Sequence, residues 1–282
     1  MQFVRYTTGG APQWGVRRND EIVPLAGLRE TVSYQQLTDA GFLRVVDDAV
    51  DAADELALPA TEANLLAPVP RPGKIVCVGL NYHDHAEEQN EPVPDRPLLF
   101  GKAGTAVTNP GDPIVHPSAL DEVDYEVELG VVIGRTAKDV SADDASDYIA
   151  GYTAINDVSG RDAQFADEQF FRGKSYDTFA PMGPTLVPDT RLDPSQLDVA
   201  CRVNGETMQS SNTQEFIFNI AELVEYISGI TTLRPGDVIS TGTPGGVGIF
   251  RDPPELLKPG DTVEVEVDGI GTLTNHVVAE RE

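Results

Sequence analysis

The run Asp124-Tyr125-Glu126-Val127-Glu128-Leu129-Gly130-Val131-Val132 places two glutamates inside an otherwise apolar, β-branched segment. In an extended strand, residues two apart point to the same face. Glu126 and Glu128 therefore share one face, and Val127 and Leu129 share the other. Neighbouring carboxylates within an apolar strand repel each other and resist desolvation, and a bound cation removes both penalties. Hard oxygen donors suit Mg²⁺, Mn²⁺ or Ca²⁺ far better than zinc. Alone, Glu-x-Glu reads more readily as an amphipathic strand with a wet face. A third carboxylate changes that balance. Tyr152–Ile155 reads as a strand running into Asn156-Asp157-Val158-Ser159-Gly160-Arg161-Asp162. Asp157 stands where that strand gives way to loop or helix, a frequent location for functional side chains. By itself it is a turn or N-cap aspartate; with the glutamates it completes a three-carboxylate site.

Three further signals point to chemistry. In Gly79-Leu80-Asn81-Tyr82-His83-Asp84-His85-Ala86-Glu87-Glu88, a loop turning into a helix puts His85 and Glu88 one turn apart on one face. A histidine oriented by a carboxylate becomes more basic and suits removal of a proton from water. His83 competes for that role, and a solvated acidic helix start is the bland reading. Lys102 and Lys174 each follow a glycine, in Phe100-Gly101-Lys102 and Arg172-Gly173-Lys174-Ser175, in turn-like contexts. Lysines so placed receive a substrate carboxylate, polarise a carbonyl, or simply face water. Thr241-Gly242-Thr243-Pro244-Gly245-Gly246-Val247-Gly248 lacks the spacing and Gly-Lys-Ser/Thr ending of a phosphate loop. It reads as a tight loop whose amides and Thr243 hydroxyl approach a small ligand, and it gives no sign of nucleotide binding.

The elements that must position these residues are mostly strands. Residues 1 to about 70 read as a small α+β module, with strands at Phe3–Thr7, Trp14–Arg17 and Glu21–Pro24 and a helix across about Val46–Leu58. Pro68-Val69-Pro70-Arg71-Pro72-Gly73 has the composition of a stiff linker. From Lys74 to the end at 282, strands are expected at Lys74–Val78, Tyr125–Ile133, Tyr152–Ile155, Asp198–Val203, Val238–Ser240 and Thr262–Val267. Helices are expected near His83–Gln89, Ala142–Ala150 and Ile220–Ile227, the last capped by Asn219. The expected fold is α+β, mainly β.

Composition narrows the function. The 282 residues suffice for a large core, and acidic residues outnumber basic ones 46 to 20, for a formal charge of −26. Such a field repels nucleic acid and anionic membranes. No stretch is apolar enough to span a bilayer, and no signal core opens the chain. Cys77 and Cys201 form no disulfide framework or zinc spacing, which favours a reducing, cytoplasmic setting. The acid is dispersed along the chain and lysines are scarce: Lys74, Lys102, Lys138, Lys174 and Lys258. That pattern fits a halophilic surface, whose self-repulsion salt screens.

Taken in order, Leu80-Asn81-Tyr82, Glu126-Val127-Glu128-Leu129-Gly130, Asn156-Asp157 with Arg161-Asp162, Gly173-Lys174-Ser175 with Ala180-Pro181, Val203-Asn204-Gly205 and Thr241 to Gly248 resemble the fumarylacetoacetate hydrolase superfamily. The match runs from about Lys74 to His276, and the N-terminal module is similar to that of the longer members. The resemblance implies a mixed β-sandwich roll in a homodimer, and Mg²⁺ or a similar ion on Glu126, Glu128 and Asp157. It implies that His85 and Glu88 form a water-activating pair on a lid and that Lys174 lies near the substrate. It implies too that Lys102, Arg161, Gln164 and Thr243 line the site. The leading expectation is metal-dependent hydrolysis of a C–C bond in a 2,4-dioxo acid such as an acylpyruvate, fumarylacetoacetate or a diketo-deoxy sugar acid. Isomerisation or decarboxylation of a 2-oxo dioic acid is the alternative within enzymes. A non-catalytic metal- or ligand-binding protein and an acidic interaction module are the alternatives outside them.

The charge pattern makes a prediction of its own. The melting temperature should rise as potassium chloride is raised from dilute buffer to molar concentration. Equal stability and activity across that range would contradict the halophilic reading.

Overall fold

The computed structural model describes residues 1–25, 32–52 and 56–281. Strands β1 (Gln2–Thr7), β2 (Gln13–Arg18) and β3 (Glu21–Pro24) form an antiparallel meander, followed by helix α1 (Ala40–Ala52), β4 (Leu58–Pro59) and β5 (Asn64–Leu66). Next come β6 (Ile75–Gly79), α2 (His83–Glu88), β7 (Leu98–Lys102), β8 (Val107–Thr108), β9 (Ile114–His116) and β10 (Val123–Asp124). The central segment holds β11 (Val127–Ile133), β12 (Ile149–Asn156), β13 (Ser159–Gly160), α3 (Arg161–Ala166), α4 (Phe171–Lys174) and β14 (Ala180–Pro188). The chain closes with β15 (Asp198–Val203), β16 (Glu206–Asn212), α5 (Ile220–Ile230), β17 (Val238–Ser240), β18 (Thr262–Val267) and β19 (Gly271–Ala279).

Among the described residues, twelve strands form one mixed sheet along the path β4-β3-β2-β1-β14-β12-β11-β17-β6-β7, with β5 added on β1 and β8 on β14. A second, five-stranded sheet runs β16-β15-β18-β19-β9. The mainly β, α+β expectation matches this architecture.

The strand alternation of β11 sorts its side chains between two cores. Val127, Leu129, Val131 and Ile133 pack into the larger one with Val199, Cys201, Val263 and Val265 of the second sheet and Leu223, Val224 and Ile227 of α5. Val132, on the opposite face, joins Phe3, Leu43, Val46, Leu186 and Met182 beneath the N-terminal strands. Helix α5 starts in a capping box: Asn219 Oδ1 accepts from the Glu222 amide at 3.1 Å, and Glu222 Oε2 accepts from the Asn219 amide at 2.8 Å.

Several expectations need correction. The helix placed over Val46–Leu58 starts instead at Ala40, because Asp39 Oδ1 caps the amides of Gly41 and Phe42 at 2.7 and 3.1 Å. Leu58 belongs to β4, paired with Ile22. Residues 142–148 form 3-10 turns, and strand β12 begins at Ile149 where a helix was expected to continue. The segment expected as a stiff linker is anchored to the body: Pro68, Val69 and Pro72 are buried, and Tyr34 Oη donates to the Pro68 carbonyl at 2.9 Å. The N-terminal strands also continue into the main sheet, with Phe3 opposite Leu186. Strand β14 has no signal in the sequence, since Pro181, Pro184 and Pro188 argue against an interior strand. The sheet accommodates them through an irregular register between Tyr152 and Ala154.

Candidate metal centre and active site

Strand pairing brings the three candidate ligands together. Val127 of β11 lies opposite Asn156 of β12, so the next positions outward, Glu126 and Asp157, stand side by side. The Asp157 amide donates to the Glu126 carbonyl at 2.9 Å and the Glu126 amide to Asn156 Oδ1 at 3.0 Å. Glu128 shares the face of Glu126, and all three carboxylates offer oxygens within 4.8 Å of one another. All three residues are buried. A buried, oxygen-only donor set of this charge fits a hard divalent cation.

Cations surround the trio. Lys174 Nζ lies 2.8 Å from both Glu126 Oε2 and Asp157 Oδ2, and 5.1 Å from the centre of the Phe100 ring. Lys102 Nζ donates to Asp157 Oδ1 and, at 3.0 Å, to the Val158 carbonyl. Arg161 reaches Glu126 Oε1 at 2.7 Å and Asp124 Oδ2 at 2.8 Å. Neither lysine sits in a turn: Lys102 ends β7 and Lys174 ends α4. Lys102 is also not among the residues lining the cavity, so its observed contact is with the carboxylate Asp157.

The two glutamates end up in opposite protonation regimes. Burial alone would raise the Glu126 carboxyl, but Lys174 and Arg161 beside it bring its pKa down to about 2. Glu128 is pushed well above the usual carboxylate range by burial, then by the charges of Asp157 and Glu126. Ser240 Oγ and, at 3.0 Å, the Gly242 amide both donate to its Oε2. Lys174 would lose its proton more easily through burial, yet Asp157 and Glu126 outweigh that and raise its pKa.

A cavity of about 300 Å³ opens beside these groups. His85, Gln164, Arg161, Lys174 and Thr243 line it with Glu126 and Glu128, and Phe100, Phe165, Phe170 and Phe250 form its apolar wall. His85 is buried against Phe250, while its competitor His83 is exposed and lines no part of this cavity. His85 Nδ1 lies 3.1 Å from Glu88 Oε2. Gln164 Oε1 accepts from Arg161 at 2.9 Å, and Thr243 Oγ1 accepts from Gln209 Nε2 at 2.8 Å.

The glycine loop is held by carboxylates. Gly242 has φ +99°, and a Cβ there would come 2.8 Å from Asn81 Cβ, so no other residue keeps this turn under Glu128. The Gly246 amide donates to Glu88 Oε1 at 2.8 Å, and the Gly245 amide to Asp84 Oδ1 at 3.2 Å, joining α2 to the loop. Asp124, fully buried, accepts from Arg161 Nε and the Gly248 amide, both at 2.8 Å. Reading the residues missed Asp124, although it stands two positions before Glu126 in the same alternation. Gln89, Gln209 and Ser240 carry no sequence signal; only folding brings them to the site.

The raised Glu128 carboxyl leads to a prediction. Without a cation the fold keeps a proton on Glu128 that the unfolded chain releases, so rising pH destabilises the cation-free form. A bound cation needs Glu128 ionised and must displace that proton. Mn²⁺ affinity, measured by calorimetry, should therefore weaken by about tenfold per pH unit below the Glu128 pKa, with about one proton released on binding. A Kd independent of pH, with no proton released, would contradict this.

Residues 74–278 match the family described as fumarylacetoacetate (FAA) hydrolase, C-terminal, and residues 1–68 match the Rv2993c-like N-terminal family. The chain is 51% identical over 224 residues to the mitochondrial oxaloacetate tautomerase FAHD2A of Bos taurus, covering 78% of this chain and 71% of that protein. The structure of 5-carboxymethyl-2-hydroxymuconate delta-isomerase from Mycobacterium smegmatis superposes with a TM-score of 0.81 at 37% identity, covering all of both chains. Maleylpyruvate hydrolase from Sphingobium sp. SYK-6, solved with manganese(II) and pyruvate, superposes with a TM-score of 0.83 at 30% identity, again covering all of both chains. The chain belongs to the fumarylacetoacetate hydrolase family.

Proposed function

We propose that the protein transfers a proton at the carbon next to the carbonyl of a small 2-oxo acid, interconverting enol and keto forms of oxaloacetate or a close analogue. The observation that carries this reading is that Glu126 and Glu128 of the carboxylate trio, the cations Arg161 and Lys174, and His85 paired with Glu88 all face one small cavity, with Asp157 behind it. The half-identical relatives named oxaloacetate tautomerase support it.

Glu126, Glu128 and Asp157 would hold a divalent ion, Mg²⁺ in the cell. When bound, that ion supplies Lewis-acid stabilisation of charge developing on the 2-oxo oxygen, worth several kcal/mol. The chain's own residues do the rest. Lys174, kept protonated by Asp157 and Glu126, presents a fixed positive charge to the same developing anion. Arg161 and Gln164, bonded to each other, and the Thr243 hydroxyl orient the substrate's carboxylates. Glu88 can only accept, so it holds the proton of His85 on Nδ1 and leaves the Nε2 lone pair to take the substrate proton. His85 returns that proton to the enolate oxygen or carbon, and the enzyme ends as it began.

A second reading rests on a different observation. The wall of Phe100, Phe165, Phe170 and Phe250 can receive the apolar end of an acylpyruvate. His85 would then deprotonate water for attack on the distal carbonyl, and the C–C bond would break to release the enolate. Decarboxylation of oxaloacetate would use the same enolate without a water.

The two readings separate in one assay. With Mg²⁺ in high potassium chloride, the wild type should convert enol-oxaloacetate to the keto form. Glu126→Ala should be inactive, and His85→Ala should lose about 10² to 10⁴ in kcat. Cleavage of acylpyruvates without turnover of oxaloacetate would move the assignment to hydrolysis.

A further inference from the structure

Gln89 closes helix α2 and lines the cavity beside His85, and the chemistry above gives it no part. Its backbone amide donates to the His85 carbonyl at 3.2 Å, which brings its side chain back over the imidazole. There the Gln89 Nε2 lies 2.7 Å from His85 Nε2. The opposite ring nitrogen is 3.1 Å from Glu88 Oε2, and Glu88 Oε1 is fixed by the Gly246 amide at 2.8 Å. Both nitrogens of the imidazole are thus engaged by side chains of its own helix.

A carboxylate accepts and a neutral imidazole has one donor and one acceptor, so Nδ1 carries the proton and Nε2 the lone pair. The amide at Nε2 must then be donating. The atom expected to take the substrate's proton is therefore capped by a donor. That arrangement selects one tautomer from both sides and fixes the ring plane. It also means that Nε2 becomes available only as the amide turns away. A primary amide has a donor and an acceptor on its two ends. A half-turn about its terminal torsion presents Oε1, which can accept from Nε2–H once the proton has arrived.

We propose that Gln89 is a positioning residue for the proton transfer. Its amide sets the Nδ1–H tautomer of His85 and then, turned over, stabilises the protonated ring. The proposal rests on the reading that His85 carries the proton. It distinguishes Gln89 from a substrate-binding residue, because its effect falls on kcat and on the state of the imidazole. It also predicts that a side chain able only to accept is worse than one able to do neither, since an acceptor at Nε2 favours a proton there before the reaction starts.

The test uses the full chain with Mg²⁺, and enol-oxaloacetate as the probe. Gln89→Met should lower kcat by about tenfold and Gln89→Glu by about a hundredfold, with KM within about twofold of wild type. Independently of turnover, ¹⁵N imidazole spectra should show His85 as the Nδ1–H tautomer in the wild type and a tautomer mixture in Gln89→Met. The chain has four histidines, and His85→Ala assigns the signals. If His85→Ala abolishes turnover while both Gln89 variants behave as wild type, the role of Gln89 falls and that of His85 stands. If His85→Ala turns over normally, both fall. A wild-type His85 protonated on Nε2 would overturn the proposal by itself.

Discussion

The Lys174 ammonium, buried 2.8 Å from a carboxylate oxygen of both Glu126 and Asp157, is the contact around which the site is arranged. Four buried carboxylates, Asp124, Glu126, Glu128 and Asp157, meet three buried cations, Lys102, Arg161 and Lys174. Each charge there is tolerable only because its partners are in place, and deleting one partner of a buried pair costs about 3 to 5 kcal/mol. The cluster therefore dictates where β7, β11, β12, α3 and α4 can sit. The excess carboxylate is Glu128, the one whose pKa is raised, and it is also the one braced by Ser240 and the Gly242 amide. The fold holds ready a carboxyl group whose proton a divalent ion would displace.

The second constraint is the attachment of α2 to the glycine loop. A helix this short has little stability of its own. Asp84 and Glu88 anchor it to the Gly245 and Gly246 amides, so the helix that carries His85 takes its position from the loop that braces Glu128. His85 and the carboxylate trio are thereby referred to one piece of backbone. Asp124 extends the same logic to the other side, tying Arg161 to the Gly248 amide and hence to the turn bearing Phe250.

Much of this was legible in the residues because it depends on short-range periodicity. The i, i+2 spacing of Glu126 and Glu128 survives into the structure, as do Asp157 at the end of its strand and Asn219 at its cap. The choice of His85 over His83 follows from burial, which spacing alone does not decide. Register is what spacing does not contain: nothing near Asn156 says that it faces Val127, although that pairing assembles the three carboxylates. Lys102 and Lys174 showed their importance through scarcity, but their glycine contexts pointed to turns, whereas each ends a regular element and binds a carboxylate. The proline-laden β14 and the glutamines at the site are set by tertiary contacts, and local preference ran against the former.

The central claim is that the carboxylate trio and Lys174 jointly hold a divalent ion and the planar anion of a 2-oxo acid. Oxalate has the shape and charge of such an enolate, so its calorimetric titration into the protein, with Mg²⁺ and then with a chelator, is the direct measurement. The account predicts oxalate binding only with the ion present, a reciprocal tightening of the ion by oxalate, and loss of both effects in Glu126→Ala. Oxalate binding of equal strength in the chelator would contradict it.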